Sequence, residues 1–281
     1  MKLAVLATIF SAFKFVWHQR IQFYSLALPA VVILSILSTL ADSILLRGIH
    51  SSFQFDLLGL QVQSSEEPIG FFNVSSPWAH AAGFGVWLIM VVVFPLYSVA
   101  WHRLFLAPHE DITILECYRW RLRHWSFLWL NIRIFILIIP IGILGFLITL
   151  FSLFMAPIVG ILLTLFVIVC YARFSMWLPA AALDQYLTFS GVLNLTKGHG
   201  WQLAAIMIVT GITTGVLDGV ATIIIANASS SISVVGELTQ NLLTNFALFF
   251  ITYAGTAIGI TALSIVYRKL TECITFSAKA P

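Results

Sequence analysis

Charge is scarce in this chain: Asp, Glu, Lys and Arg together make up 9% of its 281 residues. A soluble domain carries about 25%. So few charges cannot clothe a globular surface in water, which points to lipid as the solvent for most of it. Cysteine is scarce too. Cys117, Cys170 and Cys273 are the only three and none is spaced as CxxC, so neither a disulfide framework nor a cysteine metal site is expected. The seven histidines form no HExxH or i,i+4 pair, and no GxSxG or Walker sequence occurs. The expectation is a protein that is not an enzyme and holds no cofactor and no metal. No basic tract marks a nucleic-acid binder, and the formal net charge is only +3.

What the chain has in abundance is apolar length, with 60% of its residues hydrophobic. A spanning helix needs about 20 apolar residues. Candidate spans fall at 24–46, 78–100, 201–226 and 242–267. Between His124 and Asp184 the only charges are Arg133 and Arg173. That stretch is too long for one pass at about 1.5 Å per residue through a core of about 30 Å. It is predicted to make two passes, 125–150 and 155–178, turning where Pro157 and Gly160 break the pattern. The fold class expected is therefore all-α. It is a single membrane domain over 1–281, with six transmembrane helices as three hairpins plus interfacial helices.

The basic residues set the orientation. Lys2, Lys14 and Arg20 precede span one, and Arg103, Arg119, Arg121 and Arg123 lie between spans two and three. Lys197 lies between spans four and five, and Arg268, Lys269 and Lys279 follow span six. Of the fourteen basic residues only Arg47, Arg133 and Arg173 fall elsewhere, while Asp56, Glu66, Glu67 and Glu237 mark the opposite loops. By the positive-inside rule both termini are expected in the cytoplasm of a multi-pass inner-membrane protein.

Shorter segments read as interfacial. In 1–22, Thr8, Ser11, Lys14 and His18 recur on one stripe, with Leu6, Ile9, Phe10, Phe13 and Trp17 elsewhere. That pattern predicts an amphipathic helix lying in the interface rather than a signal peptide. In 108–125, Ile112, Leu115, Tyr118, Leu122 and Trp125 step by threes and fours, predicting a helix. In 184–200, Gly198 reads as a helix C-cap. The outer loop 47–77 alternates weakly and admits a short strand pair or an interfacial segment.

Two sets of residues stand out as candidate sites. Gly211, Gly215 and Gly219 in span five, and Gly255 and Gly259 in span six, recur every four residues. Glycines so spaced let helices approach closely. They predict packing of spans five and six, or else a dimer or pore-lining face. Arg133 and Arg173 begin and end the hairpin of spans three and four. Either each snorkels to the interface, or together they hold an anionic lipid, with Arg103, Lys197 and Arg268 on the rim. The partners expected are membrane lipids and a further copy of the chain or another membrane subunit.

The run Arg173-Phe-Ser-Met-Trp-Leu-Pro-Ala-Ala-Ala, followed by Gly191-Val-Leu-Asn-Leu-Thr-Lys-Gly-His-Gly-Trp, resembles a loose group of uncharacterised bacterial inner-membrane proteins. These are similar to YciC-like proteins and to the membrane domain found with glycerophosphoryl diester phosphodiesterases. The resemblance implies a six-span all-α fold. It does not imply phosphodiesterase activity, because the soluble catalytic barrel is not in this sequence. The function expected is the binding or organising of lipid or partner proteins; the alternative is a permease-like subunit moving a small solute. A polar track through the bilayer centre would separate the second from the first.

Overall fold

The computed structural model describes residues 4–41, 77–110, 112–151, 156–231 and 236–277. Asp42, Arg47, nearly all of the outer loop with its expected strand pair, and Lys279 lie outside them. The described chain is helical throughout, in the order α1 (Val5–His18), α2 (Arg20–Leu40), α3 (Pro77–Leu106), α4 (Ile114–Cys117), α5 (Leu122–Phe151), α6 (Ala156–Phe174), α7 (Trp177–Ala182), α8 (Phe189–Leu195), α9 (Gly200–Ser231) and α10 (Glu237–Ser277).

Six of these, α2, α3, α5, α6, α9 and α10, are long and apolar enough to cross a membrane. Their outer faces are what a bilayer requires. Phe135, Ile139 and Ile143 of α5, Ile161, Leu162 and Phe166 of α6, and Ile212, Val220 and Ile223 of α9 are all exposed. Water would not tolerate apolar patches of that extent on a monomer. The chain is a polytopic helical membrane protein.

Helix α10 is the axis of the bundle, packing against α1, α2, α3 and α9, while α5 and α6 form a pair that joins α9 and α3. At about 1.5 Å per residue its 41 residues reach about 60 Å, twice a bilayer core. Two apolar cores result. One gathers α2, α3, α4 and α10 around Leu26, Val31, Tyr97, Trp101 and Ala257. The other joins α1, α5, α6, α7, α8, α9 and α10 around Phe127, Met176, Leu203 and Val266.

Several boundaries depart from the hydropathy reading. Helix α2 begins at Arg20, a turn before the expected start at 24. Helix α3 continues through Trp101, His102 and Arg103 to Leu106. The fourth span ends at Phe174, and the chain re-enters helix as α7. The single helix expected over 108–125 is broken: α4 holds four residues and α5 starts at Leu122. His124 makes that break, because its Nδ1 accepts the Arg121 backbone N–H at 2.9 Å while its own N–H bonds the Arg121 carbonyl. This is one half of a capping box, with the histidine ring in the place of the usual glutamate side chain. The interfacial helix in 184–200 is α8, started by Thr188 Oγ1 accepting from Gly191 N–H at 3.1 Å. Gly198 beyond it takes φ +78°, the left-handed turn that favours glycine.

The glycine motifs are placed unequally. A Cβ on Gly255 would lie 2.7 Å from Thr214 Cγ2, and one on Gly259 would lie 3.8 Å from Thr210 Cγ2. Gly211, Gly215 and Gly219 have open space where a Cβ would stand. The close approach of α9 to α10 therefore sets threonines of α9 against glycines of α10, and the α9 glycines lie on another face. The reason is register: residues 210 and 214 share one face of a 3.6-residue helix, and 211, 215 and 219 lie about 100° around from it. Gly255→Ala should force α9 and α10 apart and cost about 1 kcal/mol, read as a lower melting temperature in detergent. Gly215→Leu should leave that temperature unchanged; a loss equal to that of Gly255→Ala would refute the assignment.

Candidate functional site

The polar chemistry of the described residues gathers at one end of the bundle, where α3 ends, α5 and α9 begin, and α7 and α8 lie across. Arg103, in the last turn of α3, is its centre. Its Nε donates to Glu110 Oε2 at 2.8 Å and its Nη2 to Glu110 Oε1. Its Nη1 donates to the Ala182 carbonyl at 2.8 Å and to Asp184 Oδ2 at 3.4 Å. Arg123 at the start of α5 reaches the same Asp184 oxygen at 3.3 Å. The Arg103 guanidinium beside Glu110 holds that carboxyl below the usual carboxylate range.

Asp184 occupies a backbone position that costs a non-glycine residue energy, with φ 58°. It closes α7 as a Schellman turn: Gln185 N–H bonds the Ala180 carbonyl and Asp184 N–H bonds that of Ala181. Glycine would fit the turn better but could not receive two arginines. The turn is tied onward to α10, because Tyr267 OH donates to Gln185 Oε1 at 2.6 Å. Asp184 is the only acidic residue between Glu116 and Asp218. That isolation is the one signal in the sequence that marks it.

Beneath this cluster a polar ladder joins α3 to α10. Trp101 Nε1 donates to the Ala257 carbonyl at 3.0 Å and to Thr261 Oγ1 at 2.9 Å. His102 Nδ1 lies 2.7 Å from Ser264 Oγ. The Ser264 hydroxyl also lies within hydrogen-bond distance of the Ile260 carbonyl, at 2.8 Å. Ser98 Oγ and Tyr253 Oη are buried nearby without hydrogen-bond partners among the described residues.

On a neighbouring flank, α4 reaches into α2. Tyr118 Oη donates to the Leu26 carbonyl at 2.7 Å and accepts from Ala30 N–H at 3.2 Å. Those are the two groups that an unbroken i→i−4 rung would pair, and Pro29 sits between them. Burial pushes the Cys117 thiol beside it up to about 12, so it is a packing residue rather than a nucleophile.

The arginines singled out from the sequence go separate ways. Arg133 stands over the Trp129 ring of its own helix at 5.4 Å. Arg173 turns to the α8–α9 turn, its Nη2 3.5 Å from the Thr196 carbonyl. Arg103 is engaged by acids as above. Arg268 lies over the Phe105 ring at 4.7 Å, with Glu272 at 4.0 Å. Lys197 is exposed and pairs with no carboxylate among the described residues. Among those residues no three His, Cys, Asp or Glu side chains converge as a metal site.

Three short helices form a collar at this end. On α1, Leu6, Phe10 and Trp17 are exposed on one side and Ser11, Lys14 and His18 on another, while Thr8, Ile9 and Ala12 are buried. Thr8 thus leaves the predicted polar stripe for the core. Leu115 within α4 and Leu122 at the start of α5 are 85% and 87% exposed. Tyr186, Phe189 and Trp201 are exposed around α8. A helix with one exposed side apolar and another charged suits the boundary between acyl chains and water. The chain matches no family model, no curated protein and no solved structure.

Proposed function

We propose that this protein works without catalysis in the cytoplasmic membrane, gathering anionic lipid against its basic end, with both termini in the cytoplasm. One observation carries the reading. The collar of α1, α4 and α8 sets exposed apolar anchors beside cations that no acid neutralises: Lys14, Arg20, Arg119 and Lys197 pair with no carboxylate among the described residues. Apolar anchors hold such helices at headgroup depth, and each cation near an anionic surface contributes about 1 kcal/mol. Arg20 over the Trp17 ring at 5.7 Å is the same arrangement on a small scale.

The test has two parts. Reporter fusions after Lys269 and within 107–113 should read cytoplasmic and one at Glu66 external; the reverse at Glu66 would overturn the orientation. Lipids that stay with the purified protein should be richer in phosphatidylglycerol and cardiolipin than the membrane they came from. Equal composition would overturn the lipid reading.

A further inference from the structure

Four polar side chains meet inside the apolar core that α2, α3, α4 and α10 share. The hydroxyls of Tyr97, Tyr118 and Tyr253 and the thiol of Cys117 all lie within electrostatic reach of one another. Three of them are sealed from the surroundings: Tyr97 is 0% exposed, Cys117 2% and Tyr253 3%. Only Cys117 and Tyr118 are neighbours in the chain, so the fold assembles the group.

Their hydrogen bonds do not close on one another. The Tyr118 hydroxyl is spent on α2, donating to the Leu26 carbonyl and accepting from the Ala30 N–H. The Cys117 thiol donates to the Leu96 carbonyl at 3.7 Å, which uses its proton and leaves the sulfur as a weak acceptor. The Tyr97 hydroxyl donates to the Tyr253 carbonyl at 3.4 Å, which leaves its oxygen as an acceptor. The Tyr253 hydroxyl is enclosed and has no hydrogen-bond partner among the described residues. A buried serine can turn back to its own helix. A phenol cannot, and this ring is held edge-on to Tyr97 with centroids 4.8 Å apart. A buried hydroxyl left unbonded costs free energy, and acyl chains around the bundle offer it nothing.

The unused capacity is one proton, on Tyr253, and two acceptors, Tyr97 Oη and Cys117 Sγ. A water molecule complements that set. Its oxygen accepts from Tyr253 and its protons go to Tyr97 and Cys117, the three bonds typical of a buried water. An anion would meet a single donor there, and a cation no charged ligand. We propose that this cluster is a binding site for one structural water molecule, which joins α4 to α10. The side-chain bonds of Cys117 and Tyr118 go to α3 and α2. Tyr253 belongs to α10, so the water adds the bond that ties α4 to the axis of the bundle. The site stands whether or not the basic end gathers lipid.

The experiment uses the full chain in detergent and two measurements. Tyr253→Phe keeps the ring and removes only the hydroxyl. With water bound there the melting temperature should fall, by about 3 °C; a hydroxyl that bonds nothing would leave the protein more stable once removed. Tyr97→Phe and Tyr253→Phe together should cost less than the sum of the two alone, because the first already loosens the water that both hold. A melting temperature unchanged or raised by Tyr253→Phe, or additive costs, would overturn the site. The second measurement is of water itself. A brief X-ray pulse turns bound water into hydroxyl radicals, which oxidise the side chains touching it. Read by mass spectrometry, Tyr253 should be oxidised in the wild type despite its burial, and several-fold more slowly in Tyr97→Phe. Phe127, also buried but in the other core, should stay unmodified. A Tyr253 as inert as Phe127 would overturn water as the occupant.

Discussion

Arg103→Ala is expected to lower stability by about 2 kcal/mol. The side chain is only 13% exposed and ties three segments together through Glu110, Asp184 and the Ala182 carbonyl. Its carboxylate partners are about half exposed, so water would compensate much of their loss. The Ala182 carbonyl at the end of α7 would find no such replacement, because Ala182 is fully buried. Thermal unfolding in detergent reads the effect. Arg103→Lys should fall between, keeping the charge and losing the fork. Asp184→Ala should cost more than Asp184→Asn. Both remove the ion pairs, but alanine adds about 1 kcal/mol of strain at φ 58° where asparagine is tolerated. Equal losses would show that the backbone conformation relaxes.

The same pair gives a pH dependence. The Glu110 carboxyl is lowered by its bond to Arg103. A depressed carboxylate contributes stability above its unfolded value and loses it as pH falls through the folded one. Wild type should therefore lose stability on acidification more steeply than Glu110→Gln. Parallel curves would remove Glu110 from the account.

Tyr118→Phe is expected to cost about 2 kcal/mol, because it strips a hydroxyl from two backbone groups that have no water to turn to. The proline decides how much. Pro29 removes the neighbouring rung of this turn of α2, and the tyrosine hydroxyl bonds both groups of the Leu26–Ala30 rung. With Pro29→Ala the rung can close on itself, so Tyr118→Phe should then cost well under half as much. A double-mutant cycle read by melting temperature measures the coupling. The same cost in both backgrounds would mean that the hydroxyl does not compensate for Pro29. The spacing of 108–125 suggests a regular helix and gives no sign that Tyr118 reaches Ala30 of α2, 88 residues away.

Hydropathy is a local and additive property, and it was enough to find all six long helices and to divide the 124–184 stretch into two. The concentration of Arg and Lys near span ends was equally visible, because it depends on composition and not on contacts. Which face of a helix meets a neighbour is different. The every-fourth glycines of α9 and those of α10 look alike in sequence, yet only Gly255 and Gly259 meet side chains across the helix pair. In lipid, an apolar residue gains nearly as much facing acyl chains as facing protein, so hydrophobicity cannot choose between the two faces. The choice falls to shape, and shape is known only when both helices are in place. Arg103 and Asp184, 81 residues apart, share that reason. Nothing in either segment specifies the partner, and the fold alone brings the end of α3 to the turn after α7.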